Sequence, residues 1–386
     1  DRTIELDFHL DRIFSGETPL RIADQNSTHS RVGDEMPRLI KSRAEMAFTI
    51  ADVRETDSVA RDRKKSAPVA APLTLNIPRG VPVPDLPADF PLTTERVALG
   101  KKLFNDKELS RDRSQSCASC HDPKFAFADR RRFSVGIDGK SGERNAMPLF
   151  NLAWKSEFFW DGRASSLRSQ AVQPIENPIE MHMPLPDLED RLSANKDYAA
   201  EFARAFDTPG VSAERIGIAL EAFLMTLTSF DSKFDRAMRG ETQLTEQEKR
   251  GFQLFSSEYD PRQKQFGADC FHCHGGPLFT DNQFHNNGIA IVADDAGRAR
   301  VTRAAADEHK FATPSLRNVA LTAPYMHDGR FATLNEVIEH YDHGVTRSNT
   351  LDPNLAKHPV GGLQLSSEDK QALLAFLETL TDQRFA

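Results

Sequence analysis

Hydrophobic and polar positions follow different periods in different parts of the chain. Near the start, Ile4, Leu6, Phe8 and Leu10 alternate with polar residues, and this period of two predicts a β-strand. From Thr93 onward the apolar residues follow helical spacing, beginning with a Thr-Thr-Glu-Arg sequence that is typical of a capped helix start. We therefore expect a small strand-containing segment over residues 1–65, followed by a mainly α remainder.

Further helices are predicted along the rest of the chain. Apolar residues on one face predict a helix over 216–234, a second capped start lies at Thr245, and an amphipathic pattern predicts a closing helix over 371–380. The proline-rich stretch 66–91 is typical of an extended linker. No apolar run is long enough to span a bilayer. The first residues carry no signal sequence, as expected of a chain that begins at a mature N-terminus or an artificial boundary.

Four short blocks recur in the same order in two parts of the chain, which indicates an internal repeat. The matching pairs of blocks are 100–104 with 251–255, 127–129 with 279–281, 147–153 with 313–320, and 160–167 with 327–334. Four matches in one order are hard to assign to chance. We therefore predict two related domains, a first half over 92–239 and a second half over 240–386.

The composition is that of an ordinary globular protein, with 39% hydrophobic and 27% charged residues among 386, enough for two or three domains. A formal net charge of −8 argues against nucleic acid as the main partner. The cysteines are more informative, because all four lie in two Cys-x-x-Cys-His sequences, at 117–121 and 270–274.

The Cys-x-x-Cys-His spacing suits covalent attachment of haem c. Each of two thiols three positions apart forms a thioether with one vinyl group of the porphyrin, and the adjacent histidine becomes the proximal iron ligand. The alternatives are a redox-active dithiol, which expects a βαβ setting, and a zinc site, which does not need a histidine after each pair. We therefore predict two cytochrome c-like domains, each with one covalent haem c, held by Cys117, Cys120 and His121 and by Cys270, Cys273 and His274.

The repeat also suggests what faces the distal side of each iron. Tyr341 is the seventh residue after Leu334, and the corresponding residue after Leu167 is Pro174. A tyrosine phenolate is able to ligate iron and a proline is not, so the second haem would be closed and the first open to a small oxidant. The alternative for Tyr341 is packing on a helix face. Its rivals as the ligand are Met326, His327 and His340.

An open haem needs acid–base groups to cleave a peroxide. Gln170 and Glu180 flank Pro174, and a carboxylate in an apolar pocket is able to move a proton between the two peroxide oxygens. The alternative for Glu180 is a surface loop. Trp160 stands where the second half has His327, so it is a candidate for electron transfer between the haems, with core packing as its alternative.

These stretches together resemble the bacterial dihaem cytochrome c peroxidase and MauG family, over about 92 to 350. The matching stretches are 117–121, 144–146, 159–163, 177–181, 270–275 and 316–329. The resemblance implies a calcium ion between the domains, bound by the side chain of Asn145 and the backbone carbonyls of Thr322 and Pro324.

The resemblance further implies that Trp160 is the family's inter-haem tryptophan and that Gln170 and Glu180 lie in its peroxide pocket. Two departures from the family's peroxidases indicate the MauG branch. Those peroxidases carry methionine where Tyr341 stands, and a removable distal histidine in the loop that is here residues 136–142.

The MauG-like resemblance implies a periplasmic enzyme that uses hydrogen peroxide to form high-valent haem iron and oxidises a Trp or Tyr of a partner protein, such as a small copper protein. One alternative is a peroxidase that reduces hydrogen peroxide with electrons from a small cytochrome c or cupredoxin. A dihaem electron carrier is a third reading, and Pro174 argues against it because it leaves the first haem open.

Overall fold

The computed structural model describes residues 72–289 and 295–385, together with the backbone of two strands nearer the N-terminus. The chain divides into two compact units, Asp1–Ser66 and Ala67–Ala386. In the first unit, β1 (Arg2–Phe8) pairs antiparallel with β2 (Phe48–Glu55).

The strand predicted near the start of the chain coincides with β1 as far as Phe8. The register of its pairing with β2 shifts between Glu5 and Leu6, which is the signature of a β-bulge. His9 and Leu10 lie outside the described residues.

The second unit is mainly helical, as predicted. Its α-helices are α1 (Thr94–Asn105), α2 (Leu167–Glu176), α3 (Leu185–Ser193), α4 (Lys196–Phe206), α5 (Ala213–Met225), α6 (Lys233–Met238), α7 (Glu246–Phe255), α8 (Phe271–His274), α9 (Ala299–Thr302), α10 (Leu334–Glu339), α11 (Pro353–Ala356) and α12 (Ser367–Glu378). Two short antiparallel pairs join β3 (Tyr259–Asp260) to β4 (Gln265–Phe266), and β5 (Phe284–His285) to β6 (Phe311–Ala312). Among the described residues, no helix has the length and apolar character that a membrane crossing requires.

Both predicted capped starts are confirmed. The Thr93 hydroxyl accepts a hydrogen bond from the Arg96 N–H at 3.2 Å, and the Thr245 hydroxyl accepts one from the Glu248 N–H at 3.2 Å. These bonds satisfy backbone donors that the first turn of a helix leaves without partners. They fix where α1 and α7 begin, and each of these helices precedes one Cys-x-x-Cys-His sequence.

A glycine allows α1 and α7 each to cross a partner helix closely. A Cβ atom on Gly100 would lie 1.8 Å from the carbonyl oxygen of Ala219 in α5, and one on Gly251 would lie 1.9 Å from that of Ala372 in α12. Real atoms never approach so closely, so only glycine permits these two crossings. One hydrophobic core surrounds α1, α2 and α5, and another surrounds α7, α10 and α12.

The prediction of a helix over 216–234 is wrong beyond Met225, where α5 ends. The backbone N–H groups of Phe230 and Asp231 donate instead to the buried carboxylate of Asp382, at 3.2 and 3.1 Å. This carboxylate comes from the far end of the chain, so periodicity in the sequence could not reveal that it competes with the helix.

The proline-rich stretch contains no helix from Pro72 to Pro91, but it is bound to the helical unit. Leu75 is buried in the core around α1, α2 and α5. The indole Nε1 of Trp154 donates to the Pro82 carbonyl at 2.6 Å. These contacts hold the stretch against the first half. Residues 66–71 of the predicted linker lie outside the described residues.

The same rare backbone conformations occur in both halves of the helical unit. Few non-glycine residues adopt a positive φ. At positions that match between the two halves, positive φ angles occur at Phe127 (58°) and Phe279 (52°), at Asn151 (55°) and Asn318 (57°), and at Phe159 (67°) and Met326 (75°).

Candidate haem sites

A cavity of about 610 Å³ lies beside the first Cys-x-x-Cys-His sequence. Its volume lies within the range of roughly 300–1,000 Å³ that is typical of ligand and cofactor pockets. Residues of the second half, among them Asn282 and Ser315, contribute to its wall. The structure brings the residues predicted for the first site together around this cavity, namely Cys117, Cys120, His121, Trp160, Gln170, Pro174 and Glu180, with Asn145 beside them.

The two predicted proximal histidines are held in the same way. His121 Nδ1 lies 3.2 Å from the carbonyl oxygen of Phe127, and His274 Nδ1 lies 3.3 Å from that of Phe279. Burial lowers the pKa of both imidazoles, that of His274 to about 4, so both rings are neutral at pH 7. A neutral ring that donates from Nδ1 keeps a lone pair on Nε2, which is the form that binds a metal.

Cationic side chains at the cavity wall fit the carboxylate groups of a haem. Lys155, Arg163 and Arg300 all line the cavity. Burial lowers the pKa of the Lys155 ammonium to about 8, so an anionic partner such as a propionate would favour its charged form. The first site thus offers two thiols, an imidazole nitrogen, largely apolar walls and cations for the propionates. Haem c fits this set of residues.

Glu180 presents a hydrogen-bonded carboxyl group at the cavity. Asn177 Nδ2 donates to Glu180 Oε1 at 2.7 Å. Burial raises the pKa of Glu180, whereas the Asn177 hydrogen bond and the charge of Arg163 lower it. A carboxyl group with a raised pKa is suited to proton transfer near neutral pH. Gln170 and Pro174 lie one helical turn apart on α2, and both line the same cavity.

The loop 136–142 packs against the backbone that carries Glu180. The Ile137 N–H donates to the Glu180 carbonyl at 2.9 Å. A Cβ atom on Gly136 would lie 2.1 Å from the Ile179 carbonyl oxygen, so this contact requires glycine. Gly136 and Gly142 reach the cavity wall, and no residue of this loop carries an imidazole.

Trp160 lies where the two halves meet. Its buried indole donates from Nε1 to the Asn145 carbonyl at 2.8 Å, and the Asn145 N–H donates to the His327 carbonyl at 2.7 Å. The rings of Trp160 and His327 pack edge to face, with centroids 6.5 Å apart. Trp160 therefore connects the first cavity to the matching position in the second half.

An ion network that the sequence did not reveal supports this junction. Arg144 is largely buried, and its guanidinium donates to Asp161 and Asp295, each at 2.7 Å. Asp161 directly follows Trp160, so the network fixes the backbone that carries the indole. Arg144 lies in one of the stretches that resemble the family, residues 144–146. Nothing in the sequence identified Asp161 and Asp295 as its ion-pair partners.

In the second half, Tyr341 lies in a π-helical turn, His340–Gly344, that directly follows α10. Such wide turns occur frequently at functional sites. Burial raises the pKa of the Tyr341 hydroxyl, and the hydrogen bond from Asn287 lowers it. Asn287 Nδ2 lies 3.3 Å from Tyr341 Oη and 3.4 Å from Met326 Sδ.

The rival distal ligands are placed differently. Met326 Sδ and Tyr341 Oη both lie near the amide nitrogen of Asn287. His340 directs Nε2 to the Asn287 backbone carbonyl at 3.0 Å, and His327 stacks on Phe311 with ring centroids 3.6 Å apart. Both histidine rings are therefore engaged with other groups.

Of the three predicted calcium ligands, Asn145 lies at the junction beside Trp160. The Asn145 amide donates to the carbonyls of Arg131 and Arg132, each at 3.2 Å, which leaves its Oδ1 to face another group. The Thr322 hydroxyl donates to the Val319 carbonyl at 3.3 Å. Asn145 is tied to the second half through His327, three residues after Pro324.

The sequence did not identify several residues that contact the predicted site residues or line the cavity. Asn177 stood in a family-like stretch without an assigned role. Lys155 and Asn287 carried no signal, because a cationic or amide side chain is common on any surface. Their relevance depends on contacts between segments that are distant in the sequence.

Comparison with known proteins places this chain in a family. Residues 94–243 match the family model described as di-haem cytochrome c peroxidase. The methylamine utilization protein MauG of Methylorubrum extorquens is 38% identical over 78% of this chain and 82% of its own. The cytochrome c551 peroxidase of Pseudomonas aeruginosa is 32% identical over 78% of this chain and 84% of its own.

A solved structure supports the same assignment. A MauG-like protein associated with microbial copper homeostasis superimposes with a TM-score of 0.73 and 36% identity, over 81% of this chain and 97% of that one. The relatives thus carry the names of both MauG and cytochrome c peroxidases, and the family implies two haem c groups. The chain belongs to the di-haem cytochrome c peroxidase and MauG family of haem-dependent oxidoreductases.

Proposed function

We propose that this chain uses hydrogen peroxide to oxidise a tryptophan or tyrosine side chain of a partner protein, as a MauG-like enzyme. The observation that carries the proposal is the contrast between two matching positions. Tyr341 is partly buried, with its hydroxyl at the Asn287 amide, whereas Pro174 lines the first cavity and offers no ligand atom. A phenolate would close the second haem, and the first would stay open to peroxide.

The residues around the first cavity suit peroxide cleavage. When bound there by Cys117, Cys120 and His121, the haem supplies the iron that binds and reduces the peroxide. Glu180 would accept the proton of the inner peroxide oxygen at its carboxylate and deliver it to the outer oxygen, which leaves as water. Asn177 holds this carboxylate in place, and Gln170 adds a polar group to the same wall.

Trp160 is the proposed electron path between the halves. Its indole spans the junction from the Asn145 carbonyl to the His327 ring. Electrons drawn from the partner would enter through the second half, where Cys270, Cys273, His274 and Tyr341 hold the other haem, and would reach the first cavity through this tryptophan.

We also propose that the two halves are cytochrome c-like domains related by an internal repeat, with boundaries at 92–239 and 240–386. The matching positive φ angles and the paired helix crossings at Gly100 and Gly251 support this relation. A calcium ion held by the Asn145 side chain and the carbonyls of Thr322 and Pro324 would strengthen the junction between the domains.

The proposed partner is a small copper protein in the periplasm. A related structure belongs to a protein associated with copper homeostasis, and this supports the proposal. The acidic net charge of −8 favours a partner with a basic docking face.

Titration of the fully ferric protein with stoichiometric hydrogen peroxide tests the proposal. The titration is followed by visible, near-infrared and EPR spectra without pre-reduction, in the wild type and in Tyr341→Met. We expect the wild type to lose both ferric EPR signals rapidly. A wild type that reacts only after one haem is reduced would refute the MauG-like assignment.

One observation favours a second candidate, a peroxidase that takes electrons from a small cytochrome c or cupredoxin. Met326 Sδ lies at the same amide as Tyr341 Oη, and thioether ligation raises the haem potential and suits electron entry from a donor. Reaction that strictly requires pre-reduction, with turnover of a reduced cytochrome c, would support this candidate.

A further inference from the structure

Two potential iron ligands converge on one amide group in the second half. Tyr341 Oη lies 3.3 Å and Met326 Sδ 3.4 Å from Asn287 Nδ2. An amide nitrogen carries two hydrogens, so it is able to donate to both atoms at once. Met326 and Tyr341 come from separate elements, a loop and a π-helical turn, so their meeting is a product of the fold.

The two ligand atoms differ in their preference for iron. A phenolate oxygen is a hard ligand that favours ferric iron, whereas a thioether sulfur is a soft ligand that favours ferrous iron. We propose that Met326 is a second distal ligand of the second haem and that it replaces Tyr341 when this haem is reduced. Asn287 is the positioning residue for both side chains. The inference rests on the proposed ligation by Tyr341.

The exchange balances in electrons and protons. An external one-electron donor reduces the iron, the Tyr341 oxygen leaves and takes one proton from solvent to become a phenol, and Met326 Sδ donates a lone pair in its place. Re-oxidation returns the electron to an acceptor and the proton to solvent. The Asn287 amide remains a donor to whichever atom is released.

Only side chains need to move. The Tyr341 carbonyl accepts from the Leu363 N–H at 3.0 Å, and the Met326 carbonyl accepts from the Gly329 N–H at 3.1 Å, so both backbones are anchored. Methionine is unbranched and has three rotatable side-chain bonds, which lets its sulfur shift without a backbone change. His340 and His327 are engaged with a backbone carbonyl and a stacked ring and do not compete.

Carbon monoxide binding to the dithionite-reduced holoprotein tests the proposal. The gas binds ferrous haem only where a coordination position is open. We expect one equivalent per wild-type molecule, at the first haem, and two equivalents in Met326→Leu. The control is Met238→Leu, whose side chain is exposed, and it should bind one. Two equivalents in the wild type, or one in Met326→Leu, would overturn the inference.

A second measurement uses the wild type and does not depend on how a variant folds. Rapid re-oxidation of the reduced protein with ferricyanide should briefly leave the thioether on ferric iron. Its near-infrared charge-transfer band should appear and then decay as Tyr341 returns. The band should be missing in Met326→Leu and lasting in Tyr341→Phe. Failure of the band to appear in the wild type would also overturn the inference.

These outcomes separate this inference from the proposed function. If the resting ferric protein has phenolate ligation but Met326 does not replace Tyr341 on reduction, this inference is refuted and the proposed function is not. A resting ferric protein that already shows the thioether band would remove the MauG-like assignment.

Discussion

Removal of the hydrogen bond between Asn177 and Glu180 should move the pH dependence of the peroxide reaction to higher pH. The bond is 2.7 Å long, and it favours the ionised form of a carboxyl group whose pKa burial raises. A hydrogen bond to a charged group contributes about 1.5–3 kcal/mol, and one pKa unit corresponds to about 1.4 kcal/mol. Loss of the donor should therefore raise the pKa of Glu180 by about one to two units.

Asn177→Asp is the informative variant. It removes the donor but keeps Oδ1, which accepts from the Ile179 N–H at 3.1 Å and holds the loop. Its added negative charge acts on the pKa of Glu180 in the same direction. The matched control is Gln173→Ala, because the Gln173 amide donates to the Ser169 carbonyl on α2 and not to Glu180.

The assay is the stopped-flow rate of reaction between the ferric protein and hydrogen peroxide across pH. Because the carboxylate form of Glu180 accepts the proton, the rate should fall below its pKa. In Asn177→Asp this fall should occur at least about one to two pH units higher, with the rate at high pH largely kept. Profiles of wild type and Asn177→Asp that superimpose would refute the role assigned to Glu180.

Two further predictions concern stability. The carboxylates of Asp281 and Asp352 raise the pKa of His285 to about 9. This folded pKa exceeds the unfolded value, so the stabilisation is complete below about pH 6.5 and is lost as pH rises through 9, up to about 3 kcal/mol. The free energy of unfolding, measured with urea below about pH 6.5 and above about pH 9, should fall between the two in the wild type and change little in His285→Gln. Equal losses in the two proteins would contradict this role of His285. The Arg317 side chain is only 2% exposed and pairs with Asp235 at 2.8 Å. Arg317→Met should cost about 3–5 kcal/mol. Adding Asp235→Asn should recover part of this cost, and no recovery would show that the cost does not come from the carboxylate left without its ion pair.

Much of the first site could be predicted because its residues are close in sequence to strong motifs. The spacing of Cys117, Cys120 and His121 follows from the chemistry of attachment. Gln170 and Pro174 are one turn apart on α2, so they lie on the same face of this helix and face the cavity together. The sequence could therefore predict that these residues share one pocket, because local geometry holds them close together.

The remaining features depend on contacts between distant segments. Within the stretch 216–234 that was predicted as one helix, the backbone N–H groups of Phe230 and Asp231 donate to the Asp382 carboxylate, a partner from the far end of the chain. Asn287 could not be singled out from the sequence, because only the fold brings Met326 and Tyr341 to its amide, across 39 and 54 residues. No local pattern predicts such contacts, since the residue types involved are common everywhere in a chain.

The two halves share rare backbone angles, yet they differ at the position that we propose faces the distal side of each haem. In the first half this position is Pro174, inside α2, where the ring is held within an α-helix that continues to Glu176. In the second half it is Tyr341, in a π-helical turn that widens the backbone just where the phenol is presented. The difference therefore involves the helix as well as the side chain. A proline lacks the N–H that both kinds of helix pair, so it does not by itself select one of them, whereas a tyrosine in a regular helix would present its oxygen in another direction. On the proposed assignment, the asymmetry between an open and a closed haem would therefore depend on the backbone of each half as well as on the side chain.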